Sequence, residues 1–206
     1  MFQMENMMMM MKIAVLCVII LAMPDIVTGY PSGAPSGACE SMTPNHGAPA
    51  SVPPVPYTLT VSSTTYNCGD VITVTLANAT SGDTFKGFLC QARPDVNRSS
   101  TVGKLAASGA LAATTNCGDG AITHSESSDK ISAVFTWTAS GDNPTVNIVC
   151  TVVKAKTTFW VKGVRQPITF SGTTGTCSKA MGSRGSGFLV LVLSILVALQ
   201  WKLTVA

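Results

Sequence analysis

Six cysteines, Cys39, Cys68, Cys90, Cys117, Cys150 and Cys177, lie between two hydrophobic ends of the chain and constrain its fold more than any other feature. A seventh, Cys17, sits inside the first hydrophobic run. That run, residues 13–23, follows Lys12 and precedes Val27-Thr28-Gly29 and Tyr30. A positive start, a short apolar stretch and small residues at a cleavage point describe a secretory signal peptide over residues 1–29. An even set of six cysteines behind such a leader implies disulfides formed in an oxidising compartment. Spacing does not choose among the pairings. With no C-x-x-C and only two histidines, a zinc site has little support.

The other end, residues 188–199, is also strongly apolar, and a stretch rich in small and polar residues, 178–187, precedes it. Small residues, a polar spacer and a hydrophobic end make the pattern of a GPI-attachment signal, with Ser178 as the candidate attachment residue and Gly182 or Ser183 as alternatives. A retained membrane span or a packed helix stays open for this segment, although no basic cluster follows to fix an orientation. The expected organisation is therefore a leader (1–29), one domain (30–178) and an anchor segment (179–206). The expected destination is the secretory pathway and the cell surface.

Between these ends the chain reads as short strands parted by turns. Residues 57–61 and 71–76 alternate apolar and polar, with the Val, Ile and Thr content of a half-buried sheet. Further strands are expected over 85–92, 131–137, 146–153 and 157–164. In 131–137 the alternation sets Ile131, Ala133, Phe135 and Trp137 on one face. About seven strands and no helical period indicate an all-β fold, an Ig-like antiparallel β-sandwich. Residues 31–56 hold seven prolines and form an irregular arm, which Cys39 would pin to the sandwich. Asn78-Ala79-Thr80 and Asn97-Arg98-Ser99 are N-glycosylation sequons, placing Asn78 and Asn97 in exposed loops.

Charge excludes one class of partner. Within residues 30–178, nine basic side chains face eight acidic ones, so no nucleic-acid footprint remains. Catalysis finds no support either: there is no G-x-S-x-G, and neither histidine is framed for a triad. Glu126 and Asp129 lie in a serine-rich turn and read as solvated charge. Lys86 and Arg93 bracket an apolar strand and read as exposed edge residues.

Several ordered motifs carry a resemblance. Gly33-Ala34-Pro35-Ser36-Gly37-Ala38-Cys39 leads to Met42-Thr43-Pro44-Asn45-His46-Gly47 and Pro56-Tyr57. Tyr66-x-x-Gly69-Asp70-x-Ile72-x-Val74 and Phe85-Lys86-Gly87-Phe88-Leu89-x-Gln91-Ala92-Arg93 follow. Cys117, Ile122-Thr123-His124-Ser125 and Phe135-x-Trp137 complete the series. Together they resemble the reeler (reelin N-terminal) domain over nearly all of residues 30–177. A lone domain of this kind is similar to the small invertebrate defence proteins. The resemblance implies a secreted, immune-associated, non-enzymatic protein that binds or perturbs microbial surfaces. A membrane-tethered adhesion or matrix-interaction module is the alternative. Reeler domains also front ferric-chelate reductase-like proteins, whose haem lies in multi-helix membrane domains; the sequence has no such helices, and no cofactor is expected.

The family pattern implies the pairs Cys39–Cys117 and Cys150–Cys177. Cys68 and Cys90 depart from that pattern and sit on neighbouring expected strands, so a third bridge, Cys68–Cys90, is expected between them. His124, in the shared Ile-Thr-His triplet, reads as a hydrogen-bonded structural residue, because a second metal ligand is missing nearby. His46 reads as part of a turn with Asn45. Lys154, Lys156, Lys162 and Arg165 interleave with Phe159 and Trp160, a cationic and aromatic set suited to an anionic microbial surface or glycan. Ordinary strand lysines around core aromatics give the same pattern. The domain is expected to be a monomer.

Overall fold

A computed structural model describes residues 9–12, 30–173 and 177. The expected signal peptide (1–29, apart from 9–12), Ser178 and the anchor segment lie outside the described residues. Among the described residues no helix is long and apolar enough to cross a membrane.

Among the described residues ten strands form two sheets: β1 (Tyr57–Val61), β2 (Thr65–Tyr66), β3 (Val71–Asn78), β4 (Gly87–Arg93), β5 (Lys104–Ala107), β6 (Ala112–Thr114), β7 (Ala121–His124), β8 (Ser132–Thr138), β9 (Thr145–Ala155) and β10 (Thr158–Phe170). Sheet A has the order β1-β3-β8-β5 and sheet B the order β2-β10-β9-β4-β7-β6. Neighbours are antiparallel except β2 and β10, which run parallel. The fold is the expected β-sandwich.

Alternation builds the core. Leu59, Ile72, Val74, Leu76, Phe135 and Trp137 from sheet A meet Phe88, Ile122, Ile148 and Val152 from sheet B in one buried cluster. The interior edge-to-face pairs, such as Tyr57 on Phe85 and Tyr66 on Trp137, fix ring orientation as well as burying area. Ile131 departs from its expected face. It precedes β8, where the bridge to Phe85 turns its neighbour Lys130 inward instead, and is 65% exposed.

The disulfides differ from two of the three expected pairs. Cys39 is bonded to Cys117, Cys68 to Cys177 and Cys90 to Cys150. In place of Cys68–Cys90 and Cys150–Cys177, the register of β4 against β9 sets Cys90 directly opposite Cys150. Their Cα atoms are 4.1 Å apart, the close approach of facing residues in an antiparallel pair. Cys68 follows β2 in a turn, away from β4 in the order of sheet B, and is left for Cys177.

Strand β4 is buried along its whole length. Phe88, Cys90 and Ala92 point into the sandwich. Leu89 on the opposite face belongs to a second cluster with Ala38, Met42 and Val149. The proline-rich arm therefore lies over the outer face of sheet B as a third layer, with one short 3-10 turn at Ser36–Ala38 as its regular structure.

Candidate functional site

An irregular arm cannot satisfy its own backbone, so the sheet beneath must do it. The outer face of sheet B carries four buried polar side chains for this purpose: Gln91, Arg93, Thr123 and Thr151. Gln91 donates from Nε2 to the Cys39 carbonyl at 2.9 Å. Arg93 donates from one guanidinium nitrogen to the carbonyls of Cys39 and Glu40, at 3.0 and 2.9 Å, and from Nε to Gln91 Oε1 at 2.7 Å. Thr151 Oγ1 donates to the Met42 carbonyl at 2.8 Å. Thr123 Oγ1 accepts the Ala34 N–H at 2.9 Å and donates to the Phe88 carbonyl at 2.7 Å.

Arg93 thus stands fully buried, not at an exposed strand edge as expected. The second covering layer has no periodic signal and removes water from a position that alternation assigns to solvent. Burial lowers the Arg93 pKa, partly offset by the nearby Glu40 carboxylate. Lys162 is shifted the same way, by burial first and by the Arg93 charge second.

The arm does not seal the sheet completely. Between them lies a cavity of about 370 Å3 whose walls are mainly apolar, with Ala34, Ala38 and Met42 on the arm side and Phe88, Leu89 and Val153 on the sheet side. Lys86, Lys156, Asn45 and His46 also line it, and both lysines are exposed. Met42 holds a left-handed backbone (φ 59°) while fully buried, an unusual conformation for a residue with a side chain and one that clusters at functional sites. Gly33, at φ 131°, allows the arm to pass against the sheet, since a Cβ there would fall 2.8 Å from Thr123 Cγ2.

His124 sits in the cavity wall with both ring nitrogens engaged. The Phe88 N–H donates to Nδ1 at 3.2 Å, and Nε2 lies 3.0 Å from the Tyr30 carbonyl, two contacts that the tautomer protonated on Nε2 satisfies together. His46 packs edge-on to Phe159, and its buried Nδ1 has no partner among the described residues. Among those residues no group of three His, Cys, Asp or Glu could hold a metal.

The expected cationic and aromatic set is dispersed. Phe159 and Trp160 are core residues, 0% and 8% exposed. Lys154 pairs with Asp83 at 2.7 Å, and this bond holds the Asp83 carboxyl below its ordinary range. Lys162 reaches toward the Val96 carbonyl beside Arg93, and Arg165 projects from the outer face of β10. Lys156 alone of the four lines the cavity. Lys130 is buried, and its ammonium donates to the carbonyls of Lys86, Glu126 and Ser128, so the serine-rich turn folds around it. Asn97 is exposed in a loop, whereas Asn78 is half-buried at the end of β3, paired with Tyr57.

A family model, the Reeler domain, matches residues 37–176. The chain belongs to the Reeler family. This Reeler chain is 39% identical over 147 residues to "Putative defense protein 3" of Antheraea mylitta, covering 70% of the chain and 88% of that protein. It is 38% identical over 159 residues to "Putative ferric-chelate reductase 1" of Danio rerio, covering 73% of the chain but 27% of the relative. Among solved structures, the reeler domain of human F-spondin superposes with a TM-score of 0.52 at 14% identity, covering 60% of this chain and 94% of that one. That likeness shows the fold.

The polar clasp of the Reeler arm was not read from the sequence. Its signal is present in retrospect: Gln91 and Arg93 stand at successive outward positions of a strand whose inward positions are apolar. Outward Gln and Arg ordinarily mean solvent, and nothing local distinguishes the two cases.

Proposed function

We propose that this Reeler chain is an extracellular, non-catalytic recognition module of host defence that binds components of microbial surfaces through the cavity beneath its arm. The cavity carries this reading. It is an apolar recess with two cations lining it, built on a rigid sheet and roofed by a clasped arm, and recesses of this kind are the usual seats of small ligands. Support also comes from the relatives named as defence proteins, which match over most of their own length. Three disulfides suit a protein that works outside the reducing cytosol. Of the cations expected to meet an anionic surface, Lys156 keeps that role, joined by Lys86.

The test is retention of the full chain on bacterial cells, alongside growth inhibition, at micromolar concentration. Retention that falls when Lys86 and Lys156 are both changed to Gln is the expected outcome. No retention and no inhibition would overturn the reading, and adhesion to host cells or matrix glycans instead would favour the tethered adhesion module.

A further inference from the structure

We propose that the cavity between the arm and sheet B is a site for one linear acyl chain bearing an anionic head; this rests on the recognition reading above and names its ligand class. Part of the polar lining is already engaged. Thr151 Oγ1 is committed to Met42 and the Lys162 N–H, and both His124 nitrogens to Phe88 and Tyr30. His46 Nδ1 is buried in the lining without a partner among the described residues, and Asn45 and Ser127 are exposed beside it, so a sugar or peptide entering here would find few donors or acceptors in return for the water it loses, a costly exchange. An alkyl chain needs none.

Shape and material favour one alkyl chain. Five apolar side chains, Ala34, Ala38, Met42, Leu89 and Val153, border a space of about 370 Å3. This is near the lower end of small-molecule sites, which run to roughly 1,000 Å3, and suits one chain better than two. Met42 supplies an adaptable thioether wall. Charge at the rim favours an anion. Lys86 and Lys156 are exposed, line the same cavity and form no ion pair among the described residues, whereas Lys154 close by is neutralised by Asp83. An anionic head at the mouth would meet both ammonium groups.

The experiment photo-crosslinks a diazirine-bearing dodecanoate to the full chain on expressing cells, maps the labelled peptides and competes with unlabelled amphiphiles. Labelling is expected in peptides containing Met42 and Phe88. Competition by hexanoate, octanoate, decanoate and dodecanoate should strengthen about fourfold for each added methylene until the cavity is full. Dodecanoate should compete better than dodecanol, and that preference should vanish in Lys86→Gln/Lys156→Gln, two exposed positions that leave the core intact. Ala34→Phe, which fills the recess, should abolish labelling. Dodecyl phosphate outcompeting dodecanoate would point to a phospholipid fragment, and the reverse to a free fatty acid; either upholds the site. Labelling spread over the chain, or competition that ignores alkyl length, would overturn the proposal. Retention on bacteria without cavity labelling would remove the acyl ligand and leave the recognition reading; labelling without retention would do the opposite.

Discussion

Replacing Arg93 with methionine tests whether the arm is held by side chains of the sheet or only by its disulfide and apolar contacts. Methionine keeps the length and can stay buried, so the change mainly deletes donors. Arg93 serves Gln91 Oε1, the Glu40 and Cys39 carbonyls, and the Val96 carbonyl at 3.3 Å. Cys39 retains Gln91 Nε2, and Val96 retains a long contact from Lys162. Glu40 O and Gln91 Oε1 keep no other donor among the described residues, at roughly 1–3 kcal/mol for each acceptor stranded away from water. Relief of the buried charge offsets part of this loss. A destabilisation of about 3 kcal/mol follows, equivalent to roughly 6–12 °C in Tm for a domain of this size. Urea unfolding gives the magnitude, and hydrogen exchange gives the place. Protection should fall at residues 38–47 while sheet A keeps its own. A loss below about 1 kcal/mol, or one spread evenly over both sheets, would refute the clasp.

Three further outcomes are expected. Non-reduced tryptic digestion, in which the Arg93-Pro94 bond resists cleavage, should join peptide 87–98 to peptide 131–154 through Cys90 and Cys150; a link from 87–98 to the peptide that holds both Cys39 and Cys68 would mean another pairing. Burial, with Asp83 adding to it, pushes the Tyr57 hydroxyl from 10.0 up to about 12. Its contribution to stability is therefore complete below pH 10.0 and is lost as pH rises toward about 12, because the unfolded chain ionises first. Tyr57→Phe should flatten that alkaline fall in unfolding free energy, and an unchanged slope would count against it. When the chain is expressed through a secretory pathway, Asn97→Gln should remove a glycan's mass, whereas Asn78→Gln should leave the mass nearly unchanged, since Asn78 is half-buried beside β1.

Strands with one wet face were legible. The outward residues of β3 are threonine, alanine and valine and its inward ones Ile72, Val74 and Leu76, so period two emerges directly. The short strands β5, β6 and β7 offered too few residues for a pattern, and the alanines within them do not favour a strand. The cavity was illegible for a different reason. Its walls come from residues 30–46 and 86–156, and their meeting depends on the arm crossing sheet B. Histidine was half-readable: His124 was identified as structural from its isolation, but its partner, the Tyr30 carbonyl, is 94 residues away. Cystine pairing failed where it depended on register, since Cys90 meets Cys150 only once β4 and β9 are aligned.

The arm is the first part of the domain to leave the ribosome, yet everything it docks on is made later. Cys39 must wait 78 residues for Cys117, and Thr151 is synthesised after most of both sheets. During that interval Cys68 is the first thiol within reach of Cys39, and oxidation at that moment would lock in a bond absent from the finished protein. Production of this domain should therefore depend on thiol exchange by a disulfide isomerase, and faster oxidation should lower the yield.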